Sequence, residues 1–190
     1  MGAPVHMSTK WLLGELVVMG VAMGVLGALG FPHLMPYRWH LLLHTSGALM
    51  LLGNIIVTGV WMTLAVRTHD MSTIRFAART VNWMDVAFTI PGILLIVWNG
   101  LTIVDRWGGV FGQSWIVLGS ILFSTSGVVY VALIVPDQER LIRLSASAEA
   151  PRGPDQRFLR VFRRWGIFGL IAIILPLTAY ALMVLRPALW

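Results

Sequence analysis

Arg38 to Met62 reads RWHLLLHTSGALMLLGNIIVTGVWM, a run apolar enough to sit in lipid that nevertheless carries two imidazoles, an amide and several hydroxyls. At about 100° per residue, His40, His44, Gly47, Leu51, Asn54, Thr58 and Trp61 alternate in steps of four and three and keep to one helix face. Lipid solvates apolar side chains as well as a neighbouring helix does, so small and polar residues collect where membrane helices meet. That face is expected to look into a helical bundle, and the remaining surface into lipid.

The rest of the chain fits this frame. Of its 190 residues 57% are hydrophobic and only 12% are charged, with a mean hydropathy of +0.80; soluble domains carry about 25% charged residues. A span needs about 20 apolar residues, and five stretches qualify: Trp11 to Phe31, Trp39 to Val66, Val86 to Val104, Trp115 to Val135 and Gly166 to Leu185. The first lacks a small-residue cleavage site and reads as a retained helix rather than a signal peptide. Its Gly20 and Gly24 form a G-x-x-x-G spacing suited to close packing outside the bundle or on another subunit. The predicted fold is all-α and polytopic: an extra N-terminal transmembrane helix in residues 1–35 and a left-handed four-helix transmembrane bundle in residues 36–190.

Basic residues give an orientation, because short cytoplasmic loops retain Lys and Arg. An N-in arrangement places Lys10, Arg67, Arg75, Arg79 and the seven arginines from Arg140 to Arg164 inside, leaving Arg38, Arg106 and Arg186 outside. The expectation is five spans in a bacterial inner membrane, with a cytoplasmic N-terminus and a periplasmic C-terminus. The net charge of +6 then belongs to a surface facing anionic lipid, and no nucleic-acid partner is indicated. In the first inner loop, Ile74, Ala77, Ala78 and Val81 lie opposite Arg75 and Arg79, which predicts a short helix at the interface. The second loop is read as starting at Pro136, crossing the linker SASAEAPRGPDQ (Ser145 to Gln156) and ending in RFLRVFRRW. There Arg157, Arg160, Arg163 and Arg164 reach towards lipid phosphates. No internal repeat is evident.

The other spans carry similar stripes: Asp85, Thr89, Gly92, Ile96 and Asn99; Ser120, Ser124 and Gly127; Gly169, Ile173, Pro176, Tyr180 and Met183. Asn54, Thr58, Asp85, Thr89, Asn99, Ser120, Ser124 and Tyr180 are the expected polar packing residues. Depth separates them, since a helix rises about 1.5 Å per residue. His40 and His44 share the outer half with Asn99, Tyr180 and Met183, whereas Asp85, Thr89 and Tyr130 belong to the inner half. Asp85 reads as a charge at a helix end.

Three roles are open to the histidine pair. His40 can be satisfied by water at the interface while His44 bonds across the bundle to a neighbour such as Asn99 or a carbonyl; His44 can ligate a b-type haem, with Met183 or another group opposite; or both imidazoles, at i and i+4, can hold copper or zinc. Zero cysteines exclude thiolate sites and disulfides. No H-E-x-x-H, G-x-S-x-G, P-loop or G-x-G-x-x-G stands in a supporting context.

The sequence also carries a resemblance. The His44-x8-Gly53 spacing, the basic segment FAARTVNWMD, the helix IPGILLIVWNGL and the ending RRWGIFGLIAIILPLTAYALMVLRP together resemble a family of uncharacterised bacterial integral membrane proteins. That family is similar to the HemJ-type protoporphyrinogen oxidases and to CopD-type membrane domains. The resemblance implies a haem at the position of His44. It also implies a lysine early in the third bundle helix, where this chain has QSWIVLGSILF and none. The expected function is that of a non-catalytic integral membrane subunit of a larger respiratory or photosynthetic complex, in contact with membrane lipids and other protein subunits. The alternative is a haem b protein handling electrons or porphyrin.

Overall fold

The computed structural model describes residues 35–147 and 153–190. The expected span Trp11 to Phe31, with Gly20 and Gly24, lies outside the described residues, as does the domain boundary drawn from it. Among the described residues the chain is all-helical, and four helices are long and apolar enough to cross a membrane. They are α1 (Tyr37–Arg67); α2 (Met71–Met84) continuing into α3 (Ile90–Ile103); α4 (Ser114–Val129) continuing into α5 (Val135–Ser147); and α6 (Gln156–Leu185). Successive spans run in opposite directions. One end of the molecule therefore carries His40 and His44 and the other most of the arginines.

Short local signals set the ends of these helices. His69 takes a left-handed conformation (φ 56°) after α1. Asp70 then caps α2, its carboxylate accepting from the backbone N–H groups and hydroxyls of Ser72 and Thr73. Those four donors hold its pKa well below the usual carboxylate range. Asp155 caps α6 through the Phe158 N–H at 2.7 Å, and α6 stops at Arg186, left-handed (φ 50°) and followed by Pro187.

Inside the two longest helices a seven-residue pattern recurs, DVAFTIP at 85–91 and YVALIVP at 130–136. Each copy forms a π-helical turn, Asp85–Thr89 and Tyr130–Ile134. The proline at the seventh position offers no N–H, and in a regular helix its ring meets the carbonyl four residues back. The turn widens instead: Ile90 N–H bonds to Asp85 O and Val135 N–H to Tyr130 O, five residues back in each case. The helix thus passes Pro91 and Pro136 without ending.

Continuity through Pro136 corrects the expected loop there. The helices Met71–Trp107 and Ser114–Ala146 have 37 and 33 residues, or about 55 and 50 Å against a hydrocarbon core of about 30 Å. Their excess length forms a helical cap at the arginine-rich end. Ile74, Ala77 and Ala78 do form one buried face, but they pack on Leu141, Ile142 and Phe158 in a protein core, so α2 stands against other helices instead of lying on the lipid surface. Asp137, fully buried in this cap, pairs with Arg164 and Arg140. Arg75 donates to the carbonyl of Ser145 at 2.9 Å.

The spans associate as two antiparallel pairs, α1 with α3 and α4 with α6, which join chiefly at the cap through Met62, Ala65, Ile134 and Trp165. In the second pair the buried residues are Gly119 and Ser126 on α4 facing Ala172 and Ala179 on α6, with the Ser126 hydroxyl donating to Ala172 O at 2.8 Å. Ser120 is half-buried, and Ser124 and Tyr180 are exposed. Pro176 is buried and Met183 packs at Gly119, as the expected stripe has them, while at the remaining positions the packed faces are turned by about one residue from the polar stripes expected there. Trp61 is exposed as well, leaning on Phe76 of α2.

Candidate functional site

The α1–α3 pair closes like a zipper. His40 faces Asn99, Gly47 faces Gly92, and Asn54 faces Asp85. These three layers are seven residues apart on each helix, which is about 10 Å per step. Glycine on both sides of the middle layer brings the backbones together: a Cβ placed on Gly47 would stand 2.7 Å from the Gly92 carbonyl oxygen. That contact holds the polar layers on either side within side-chain reach.

In the outermost layer, Asn99 donates its amide N–H to Leu95 O at 2.9 Å and so presents its oxygen to His40 Nδ1 at 2.8 Å. One turn further along α1, His44 Nδ1 meets the carbonyl oxygen of Ile96, also at 2.8 Å. Both partners are acceptors, so both Nδ1 atoms carry the proton, and in the neutral rings both Nε2 lone pairs are free. His40 is only 1% exposed, and its Nε2 is buried without a partner. The expectation that water satisfies His40 at an interface is therefore corrected; the carbonyl bond expected for His44 is present. An imidazole anchored through Nδ1–H with Nε2 left open is the usual preparation of a metal or haem ligand.

No cluster of three or more His, Cys, Asp or Glu occurs among the described residues, so these offer the two rings no third such ligand for a tetrahedral site. Haem needs one or two axial ligands, and the donor set fits it. Met183 is not brought to the histidines. It lies on α6, its methyl against Gly119 and its neighbours Trp115 and Ile116. Cations surround this end of the molecule: Arg106 stacks on Tyr37 at 4.0 Å, and Arg186 lies 4.8 Å from the centroid of Trp107.

At the innermost layer Asp85 is buried where the first π turn begins. Its Oδ1 accepts from Asn54 Nδ2 at 3.0 Å and Thr89 Oγ1 at 2.9 Å, and its Oδ2 from Gln138 Nε2 at 2.9 Å. Asn54 also donates to Thr89, and Thr58 donates to the Asn54 carbonyl. The buried Tyr130 hydroxyl lies beside the carboxylate without a hydrogen bond of ordinary geometry. Asp85 is thus the centre of a polar network and not an end-of-helix charge. Gln138 was hidden in the sequence because Pro136 reads as the start of a loop; the second copy of the seven-residue pattern was the signal that the helix continues. Arg157, Arg160, Arg163 and Arg164 are all exposed, and Arg164 is in addition paired with Asp137.

No curated protein and no solved structure matches the chain. A family model does, over residues 40–187, a span that takes in both polar layers. The chain belongs to that family, described as predicted integral membrane protein (DUF2269).

Proposed function

For this member of a family of integral membrane proteins, we propose a role in binding b-type haem and handling electrons in the bacterial inner membrane. The observation that carries the reading is the matched anchoring of His40 and His44, each with Nδ1 tied to an acceptor on α3 and Nε2 left free. His44, half-buried where His40 is sealed, is the ligand assigned here. Asn99 holds His40 in the same tautomer. Arg38, Arg106 and Arg186 sit at the same end and supply cations for the two propionates. When bound, haem supplies a one-electron redox centre. The resemblance to HemJ-type and CopD-type membrane domains read from the sequence is in keeping with the same assignment, and the missing lysine argues against porphyrinogen oxidation. The orientation proposed is five spans with the arginine-rich end in the cytoplasm, which leaves the histidines near the periplasmic face.

A second reading is a non-catalytic subunit that completes a larger membrane assembly. Small-residue faces favour it: Gly53 and Gly59 on α1 and Gly127 on α4 have nothing among the described residues around the place of a side chain. Spectra of the chain purified in mild detergent, oxidised and dithionite-reduced, separate the two. A Soret band with reduced α and β bands, lost in His44→Ala and retained in Met183→Leu, is the expected result. A colourless protein that co-purifies with other membrane subunits would replace the haem reading with the structural one.

A further inference from the structure

A second site lies about 21 Å along the helices from the histidines, fourteen residues away on both α1 and α3. It stands independently of the haem reading. Asp85 is a carboxylate buried among neutral groups. Its hydrogen-bond partners are Asn54, Thr89 and Gln138, and no arginine, lysine or histidine among the described residues forms an ion pair with it. An uncompensated buried ion is costly, and ordinarily either a counter-charge or a proton removes that cost.

The surroundings indicate which. Gln138 is buried and spends its amide N–H on Asp85, yet its own Oε1 has no donor; the Tyr130 hydroxyl is buried and unpartnered beside the same carboxylate. The unmet groups are thus an acceptor oxygen on Gln138 and a hydroxyl that can either donate or accept, and among the described residues no cation stands with them. A hydrogen on the carboxyl removes the unpaired charge and gives these groups a donor, since a protonated Asp85 can donate to Tyr130 Oη or, with a turn of the amide, to Gln138 Oε1. The other charged groups nearby are engaged elsewhere or offer no ion pair. Asp137, next to Gln138 in sequence, is held by Arg140 and Arg164, and Arg79 on α2 makes no ion pair with Asp85. Among the described residues, Tyr130 is the titratable group facing the site, and α1 contributes Asn54 and Thr58.

We propose that Asp85 is a proton-binding site: its carboxyl takes a proton from water at the arginine-rich end and holds it in the folded protein at neutral pH, with Gln138 and Tyr130 as the groups that receive its hydrogen bond. The two π turns build it. They place Asp85 and Tyr130 at the same height on two different helices and leave residues on both beside prolines that cannot complete a regular ladder. The step is balanced simply, as one proton moves from solvent to Asp85 Oδ and returns by the same bond.

Infrared spectroscopy of the full chain in lipid vesicles tests the assignment. At neutral pH the protein should have a carboxylic C=O stretch that moves slightly in D2O and is lost in Asp85→Asn. Tyr130→Phe and Gln138→Leu should keep the band and shift its frequency, which a merely structural role for these residues would not do. These two variants also cover the case in which Asp85→Asn fails to fold. A carboxylate signal in place of the C=O band at neutral pH would overturn the proposal. So would a C=O band abolished by sodium at constant pH and ionic strength, which would make the site one for a metal cation.

Discussion

His40 and His44 differ less in chemistry than in what surrounds them, and single atoms decide their use. Asn99 can orient His40 only because its own amide N–H is fixed on Leu95 O. The assigned ligand His44 is held by the Ile96 carbonyl instead, so Asn99→Ala is expected to cost haem retention less than the about 10- to 100-fold that follows when a group orienting the ligand itself is lost, measured as Soret absorbance per protein after washing with an apo-haem acceptor. A loss of that full size would move the ligand assignment to His40. Asp70 provides a second residue-scale test. Its pKa is depressed by the Ser72 and Thr73 donors, so its contribution is complete above the unfolded value, near 4, and is lost as pH falls from there through the folded value. Thermal unfolding in detergent should find Asp70→Ala less stable than the parent at neutral pH, with the gap narrowing steadily below about pH 4. A gap independent of pH would mean that the cap does not act through its charge.

At the scale of helix pairs, glycine sets how closely backbones approach, and identical substitutions should have different costs. Gly47→Ala puts a methyl against backbone at Gly92 and against Leu95 Cβ, neither of which can turn away, and overpacking of this kind costs about 1–3 kcal/mol. Gly119→Ala meets the Met183 methyl at 2.7 Å, the far end of a flexible chain, and should be milder. Gly53→Ala meets nothing and should stay within about 0.5 kcal/mol. Denaturant titrations of the three variants in one detergent check this order. The same comparison explains what was legible in the sequence. The α1 and α3 stripes were readable because amides, an aspartate and histidines have few ways to be satisfied inside a membrane, so they mark the packed face. Ser and Thr can instead bond to their own helix, as Thr125 does to Ile121 O and Thr178 to Ile174 O. Hydroxyls therefore pointed one residue away from the faces that Gly119, Ala172 and Ala179 define.

At the scale of the whole molecule, two parts with different solvents share the same helices. Hydropathy located the apolar spans because it measures only what lipid accepts. It missed the cap, where helices of mixed polarity continue beyond the membrane and pack on one another around Ile74, Leu141 and Phe158. Prolines concealed this, since Pro136 reads as a break until the widened turn ahead of it is recognised. The cap is also where the two helix pairs are joined, so the ion pair that the half-exposed Arg164 makes with the buried Asp137 should help govern whether they stay together. Asp137 is inaccessible and has Arg164 and Arg140 as its counter-charges. Arg164→Ala leaves that carboxylate short of its principal partner, whereas Arg163→Ala removes an exposed charge from the neighbouring position. Unfolding followed by circular dichroism should find a clearly lowered Tm for the first and a nearly unchanged Tm for the second. The double variant Asp137→Leu, Arg164→Leu should recover much of the loss, because apolar packing can replace the pair, whereas Arg164→Ala leaves the buried carboxylate with Arg140 as its remaining counter-charge. If Arg163→Ala and Arg164→Ala were equally mild, the pair would not be what holds the two halves together, and apolar packing around Phe158 and Trp165 would have to do so alone.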